Sequence, residues 1–263
     1  MYDHTLAGCS VDGLVPRLVD NDHVPVAVRD LSSDDVAWAA DLMEDRRQLY
    51  AMYSPVFWHP ASGVTGLHAR FLNRQLASDT NVGLRTDHGF VIGQLRGAEG
   101  FVDDFAIDAD GTWSDDGAAL LMAAWDKLAS AGATVLRVVT ARADEAKVQM
   151  LCDLSLRLVE EWWVKPLRAV SPATTSGRVD GSVFSGILGP APPVYDPGGP
   201  VLLADRLDDG ADLGVVEHEA PAMGAVLVVV PTPPGSDRTC QLEEGEWSVA
   251  SQWYLGQPTR EAP

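Results

Sequence analysis

Apolar and polar positions along this chain fall into stretches of two periods, most clearly between Phe101 and Val164. FVDDFAI reads as a strand. After a turn containing Gly111, Leu120, Leu121, Ala124, Trp125 and Leu128 recur at the three-and-four spacing of one helical face. Gly132 ends that helix, because a residue without a Cβ reaches the left-handed cap conformation at little cost. VLRVVT follows as a β-branched run suited to the interior of a sheet, then a helix over about Asp144 to Leu154, then RLVEEWWV as another strand.

Upstream, VPVAVRDL has strand character, and SSDDVAWAADLMEDRRQLYAMY predicts a helix capped by Ser32 or Ser33 with acids in its first turn. The loop SPVFWHPASG leads into a second helix, VTGLHARFLNRQLAS, with Leu67, Phe71 and Leu72 facing inward. NVGLRTDHGFVIGQLRG predicts a hairpin turning at Asp87, His88 and Gly89, with His88 and His68 as ordinary surface polar groups. Residues 1–24 show no sustained periodicity and read as a partly ordered lead-in. Residues 171–200 are rich in Pro and Gly and read as a linker, within which 182–188 has strand character.

The tail repeats the middle of the chain. DDGAAL at Asp115 returns as DDGADL at Asp208, GATVLRVVT at Gly132 as GAVLVVVPT at Gly224, and EEWWVKP at Glu160 as SQWYLGQP at Ser251, in order and at offsets of 93, 92 and 91 residues. The copy keeps the third strand through the sixth. It is expected to lack the first two strands and the first two helices.

Composition bounds the function. A chain of 263 residues with 46% hydrophobic content can bury a substantial core. A formal charge of −19 with only three lysines argues against nucleic acid, whose binding rests on neutralising phosphates, and suits a cationic small molecule. Cys9, Cys152 and Cys240 are too few and too scattered for a disulfide framework or a metal cluster, so no metal is expected and a reducing compartment is. No stretch has the length and apolarity of a membrane span, and the N-terminus lacks a basic region followed by an apolar run. These points lead to a cytoplasmic protein with no membrane partner, and they leave an oligomer open.

The residues from about 25 to 166 resemble the GNAT superfamily of acyl-CoA-dependent N-acyltransferases. That family's pattern is a strand ending L-x-V, a Q/R-x-x-G-x-G/A loop and a helix opening x-A-L-L. Here Phe105 and Ile107 take the L-x-V places, Thr112 the Gln/Arg place, Asp115 and Gly117 the two Gly places, and Ala118 to Leu121 open the helix. The resemblance implies an α/β fold, with a GNAT-like mixed, mostly antiparallel sheet flanked by helices. The expected division is a lead-in at 1–24, a GNAT-like unit at 25–170, the linker, and a shortened second GNAT-like unit at 201–263.

It also implies acetyl-CoA as cosubstrate, with the pantetheine arm along Phe105 and Ile107. The pyrophosphate would lie on Thr112, Trp113, Ser114, Asp115, Asp116, Gly117 and Ala118, as anions lie on helix N-termini. An Asp about 6 Å from a phosphate charge costs roughly 0.7 to 2.8 kcal/mol, so the acidic letters weaken this site.

Alternation puts Asp103 on the face of Phe101, Phe105 and Ile107, where burial would raise its pKa; Asp103 is the expected base, with Asp104 and Glu99 behind it. A second family pattern, N-x-x-A-x-x-x-Y-x-K-x-G-F, places Asp144 at its Asn and Leu151 at its Tyr, so the family's usual acid is missing, and the adjacent Cys152 reads as core. Tyr50, Tyr53, Phe57 and Trp58 are the expected aromatic surroundings of a small-molecule amine acceptor. Two functions follow: an N-acyltransferase, or a catalytically inactive GNAT-fold protein serving as an acyl-CoA sensor or binding module.

Overall fold

The structure, a computed structural model, describes residues 26–170 and 176–259; the lead-in 1–24 lies outside them. The first unit runs β1 (Arg29–Asp30), α1 (Val36–Tyr53), α2 (Val64–Leu76), β2 (Asn81–Arg85), β3 (Gly89–Arg96), β4 (Glu99–Ile107), α3 (Ala118–Ser130), β5 (Val135–Ala141), α4 (Glu145–Asp153) and β6 (Arg157–Pro166). The second runs β7 (Gly177–Asp180), β8 (Phe184–Gly189), β9 (Val201–Leu207), α5 (Leu213–Ala222), β10 (Leu227–Thr232), α6 (Asp237–Glu244) and β11 (Ser248–Gly256).

Local chemistry accounts for the helix ends. The Asp35 carboxylate accepts from the Ser32 N–H at 2.9 Å and the Ser32 hydroxyl at 2.7 Å, opening α1; these bonds, with Arg85 beside them, hold its pKa down at about 2. Gly132 takes φ 108° after α3, and Asp212 caps α5 through the Gly214 N–H at 2.8 Å.

Three sequence expectations need correction. The first strand, expected across VPVAVRDL, is only two residues long. Gly177–Asp180, expected as linker, forms β7, which pairs antiparallel with β8 over the stretch 182–188 expected to have strand character, so the second unit has a counterpart of β2 after all. His68 is not on the surface: it is 1% exposed and takes the inward place expected for Leu67, because Arg47 of α1 reaches it from below.

All described strands join one sheet in the order β1-β2-β3-β4-β5-β11-β6-β10-β9-β8-β7, parallel only at β4–β5 and β9–β10. The last strands of the two units have changed places. β11 pairs with β5 of the first unit, β6 pairs with β10 of the second, and the two pair with each other at the centre.

The register there has twofold symmetry. Glu161 faces Gln252, its counterpart at the 91-residue offset; on either side Trp162 faces Ser251 and Glu160 faces Trp253, two pairs that the same offset exchanges, and the ladder skips the counterparts Val159 and Ala250. A second, shortened unit of the same fold is therefore built into the sheet.

The cores follow from this. α3 and α4 cover one face of the first unit through Leu120, Leu121, Leu128, Met150 and Leu151, joined by Tyr254 of β11. α5 and α6 cover the same face of the second unit through Val216, Ala220 and Leu242, joined by Trp163 of β6. α1 and α2 pack on the opposite face, over Phe90, Ile92 and Ala106. Among the described residues, no helix of the second unit packs there.

Each core contains a strand from the other unit, so the two should melt together. Differential scanning calorimetry is expected to show one transition, and Trp163→Ala, which removes a side chain 2% exposed, should lower the whole transition by about 3 to 5 kcal/mol of stability. Two resolved transitions, only one of them displaced, would contradict this coupling.

Candidate functional site

β4 carries the site because its ladders break in two places. Its pairing with β5 ends at Val102 and Val138, leaving the β5 side of Asp103 to Ile107 unpaired. On the other side, the register against β3 shifts between Val91 and Gly93, so Asp103 and Asp104 together face Ile92. This bulge corrects the expected alternation. Phe105 and Ile107 share the α3–α4 face with Val102, while Asp103 and Asp104 both look to the α1–α2 face.

Asp104 is 9% exposed, with His68 Nε2 at 3.5 Å. The Arg47 guanidinium donates to His68 Nδ1 at 2.6 Å, so the ring proton sits on Nε2, on the side of the ring nearer Asp104. Burial, and next the charge of Asp103, push the Asp104 carboxyl up to about 7. Burial also raises Asp103, against the pull of Lys147, Arg47 and Arg96. Asp103 is exposed, and its exposed surface opens into a cavity.

That cavity holds about 350 Å³ and lies over the sheet where the second unit has no helices. Val201, Leu203, Leu227 and Val229 form its floor, Phe57 and Trp58 one wall, and Asp103 its carboxylate. Trp162 and Trp253, counterparts across the central pair with ring centroids 4.7 Å apart, stand at its middle. The lid is the segment 190–197 with Tyr195, pinned by the Ala61 N–H on Val194 O at 3.1 Å and the Asp196 N–H on His59 O at 2.8 Å. Trp58 Nε1 donates to the carbonyl of the skipped residue Ala250 at 3.0 Å, tying wall to floor.

Of the four expected aromatics, Phe57 and Trp58 line this cavity. Tyr50 lies behind Trp58 and donates to Asp144 at 2.8 Å, and Tyr53 is 39% exposed, pointing away. Tyr195, Trp162 and Trp253 come from the lid and the exchanged strands. The repeat of EEWWVKP in SQWYLGQP marked two of them in the sequence; nothing marked Tyr195.

The gap between β4 and β5 holds Lys147 of α4, 1% exposed, whose Nζ donates to Val139 O at 3.0 Å and lies 5.1 Å from the Phe105 ring and 5.4 Å from the Trp113 ring. Arg46 stacks on Trp113 at 4.8 Å and is ion-paired with Asp144. Lys147 falls at the Ala of the second family pattern, a signal present in the sequence. Leu151, at the Tyr place, is buried in the α3–α4 core.

The turn before α3 satisfies much of its own backbone. Thr112 Oγ1 accepts from the Asp115 N–H at 3.1 Å and donates to the Asp115 carboxylate at 2.8 Å. The Thr112 N–H reaches Asp116 at 3.3 Å, and the Gly117 N–H reaches Thr112 O at 3.1 Å. Ser114 and Thr112 are exposed, while Trp113, Asp116, Gly117 and Ala118 are buried. Gly117 leaves room for Trp113, since a Cβ there would lie 2.7 Å from Trp113 Cε3. Beside the unpaired β4 edge, the volume between the strands is filled by Lys147 and Trp113. Among the described residues, no group of three or more His, Cys, Asp or Glu is placed to hold a metal, and no helix is long and apolar enough to cross a membrane.

No family model and no curated protein matches this sequence. Solved structures do match the fold. A GCN5-related N-acetyltransferase from Sphaerobacter thermophilus is similar with a TM-score of 0.55 at 9% identity, over 87% of this chain and 94% of that one. A proposed acetyltransferase from Thermoplasma acidophilum is similar with a TM-score of 0.54 at 10% identity, over 88% and 98%. The fold is that of the GNAT acetyltransferases, and the match extends across both units.

Asp104 and His68 predict opposed pH dependences. Asp104 titrates near 7 when folded against 3.8 ordinarily, so the folded state holds more protons across that window and stability falls as pH rises through it. Burial, then Arg47, hold His68 at about 3 against 6.5, so the unfolded state holds more protons there and stability rises with pH. Asp104→Asn should therefore give a melting temperature that climbs more steeply than wild type between about pH 4 and 6.5 and exceeds it at pH 8, measured by circular dichroism. A variant less stable than wild type at pH 8 would contradict the raised pKa.

Proposed function

We propose that this chain moves an acyl group, in the simplest case acetyl from acetyl-CoA, to the amine of a small molecule seated in the cavity, with Asp103 receiving the amine's proton and Asp104 backing it. The observation that carries this is the position of Asp103. It stands on the bulge where β4 and β5 part and faces an aromatic cavity. An alkyl amine of pKa near 10.4 is almost wholly protonated at pH 7, and making it neutral costs roughly 4.6 kcal/mol, so a base is needed beside it.

A carboxylate whose pKa is raised by burial is the better matched base. Trp58, Trp162 and Trp253 add cation–π attraction of about 0.5 to 2 kcal/mol for the charged form on arrival. The cavity lining is apolar apart from Asp103, Ser251 and the Tyr195 phenol, which favours an amine with an apolar body over a polyamine. A thioester would supply the acyl group. The chain's own part is to seat the amine, take its proton and keep water from the reacting centre.

A second reading, a GNAT-fold binding module or acyl-CoA sensor without catalysis, is favoured by a separate observation. Lys147 lies in the gap, Leu151 is buried where the resemblance puts an acid, and the turn before α3 caps its own N–H groups. One pair of measurements separates the two. Tryptophan fluorescence should report binding of an arylalkyl amine, and thiol release from acetyl-CoA should accompany it, falling by about 10² to 10⁴-fold in Asp103→Asn. Binding without thiol release selects the second reading, and neither signal overturns both.

A further inference from the structure

The gap between β4 and β5 leaves backbone on both sides unpaired, and the chain fills it with a charged side chain. Lys147 enters from α4, past Phe105, and ends on Val139 O, the first β5 carbonyl beyond the last shared rung. Trp113 closes the same space from the turn, packed against Phe105 at 4.8 Å, with Arg46 stacked behind it.

Taking an ammonium out of water is costly; one carbonyl, two ring faces and the nearby Tyr50, Asp103 and Asp104 offset only part of that cost, so burial holds the Lys147 ammonium below its ordinary pKa. Val139 also lines the cavity, so Lys147 stands at the wall between gap and cavity.

We infer that Lys147 is a gatekeeping residue that occupies the β4–β5 gap in competition with a thioester arm and so sets the affinity for acyl-CoA. This rests on the acyl-CoA reading above. Arm and side chain need the same volume and the same backbone groups, so one must leave before the other enters. Lysine suits such a role. Its four-carbon stem is flexible, and leaving the gap returns its charge to water. A ligand that binds only the vacated state has its affinity reduced by the fraction of molecules in that state.

The test is calorimetric titration of coenzyme A into the full chain as wild type, Lys147→Ala and Lys147→Met, with a melting curve for each to establish folding. Lys147→Ala should bind on the order of tenfold tighter than wild type, a difference of about 1.4 kcal/mol. Lys147→Met refills the gap with a similar length and should stay near wild type.

Equal affinities for wild type and Lys147→Ala overturn the gate alone. So does weaker binding by Lys147→Ala, which would make the ammonium a ligand of the cosubstrate. No binding by any of the three overturns the acyl-CoA reading itself and the gate with it.

A second measurement needs no variant. Only three lysines occur, and Lys127 is exposed. Amine labelling read by mass spectrometry should find Lys147 protected beside Lys127 in the free protein and labelled faster at saturating coenzyme A. A Lys147 still protected at saturation would mean that the molecule binds without displacing it, which overturns the gate.

Discussion

The pairing of β6 with β11 is the interaction on which everything else rests. It is antiparallel, its register has twofold symmetry, and it lies at the middle of the sheet, where each strand also completes the other unit's half. Backbone groups this deep must be paired, so neither unit can close its sheet alone. The two tryptophans that the register brings together, Trp162 and Trp253, then become the centre of the cavity. One set of hydrogen bonds thus both joins the units and builds the candidate site between them.

Much of the fold was legible because its elements are local. The helices over 118–130 and 145–153 and the strands around them obey their periods closely, and the tail's resemblance to the middle pointed to a second unit. The exchange of last strands was not legible, since either pairing buries the same apolar residues and satisfies the same backbone. Composition misled in one segment: SPATTSGRVDG at 171–181 read as linker and hid β7, a four-residue strand with little signal of its own, while the strand character of 182–188 did mark β8.

The site was legible in outline and wrong in detail, for one reason. Alternation assumes an unbroken ladder, and a bulge of one residue turns Asp103 and Asp104 to the same face while the sequence stays as it was. His68 was misjudged differently. Histidine on a polar helix looks like surface until Arg47, from another helix, supplies a hydrogen bond that permits burial. Contacts made across the fold, such as those of Tyr195 in the lid, leave little trace in any local pattern.

The second unit's shortness has a meaning beyond economy of chain. In the first unit α1 and α2 cover the sheet face. In the second, among the described residues, the same face carries no helix, and a proline-rich strap held at Ala61 and His59 roofs it. Absence of two helices is what makes the room. The volume and shape of that room are accordingly governed by a surface strap, whose length and residues can change without disturbing a single rung of the sheet. A chain organised this way can alter what it accommodates while the carboxylates on β4 stay where they are.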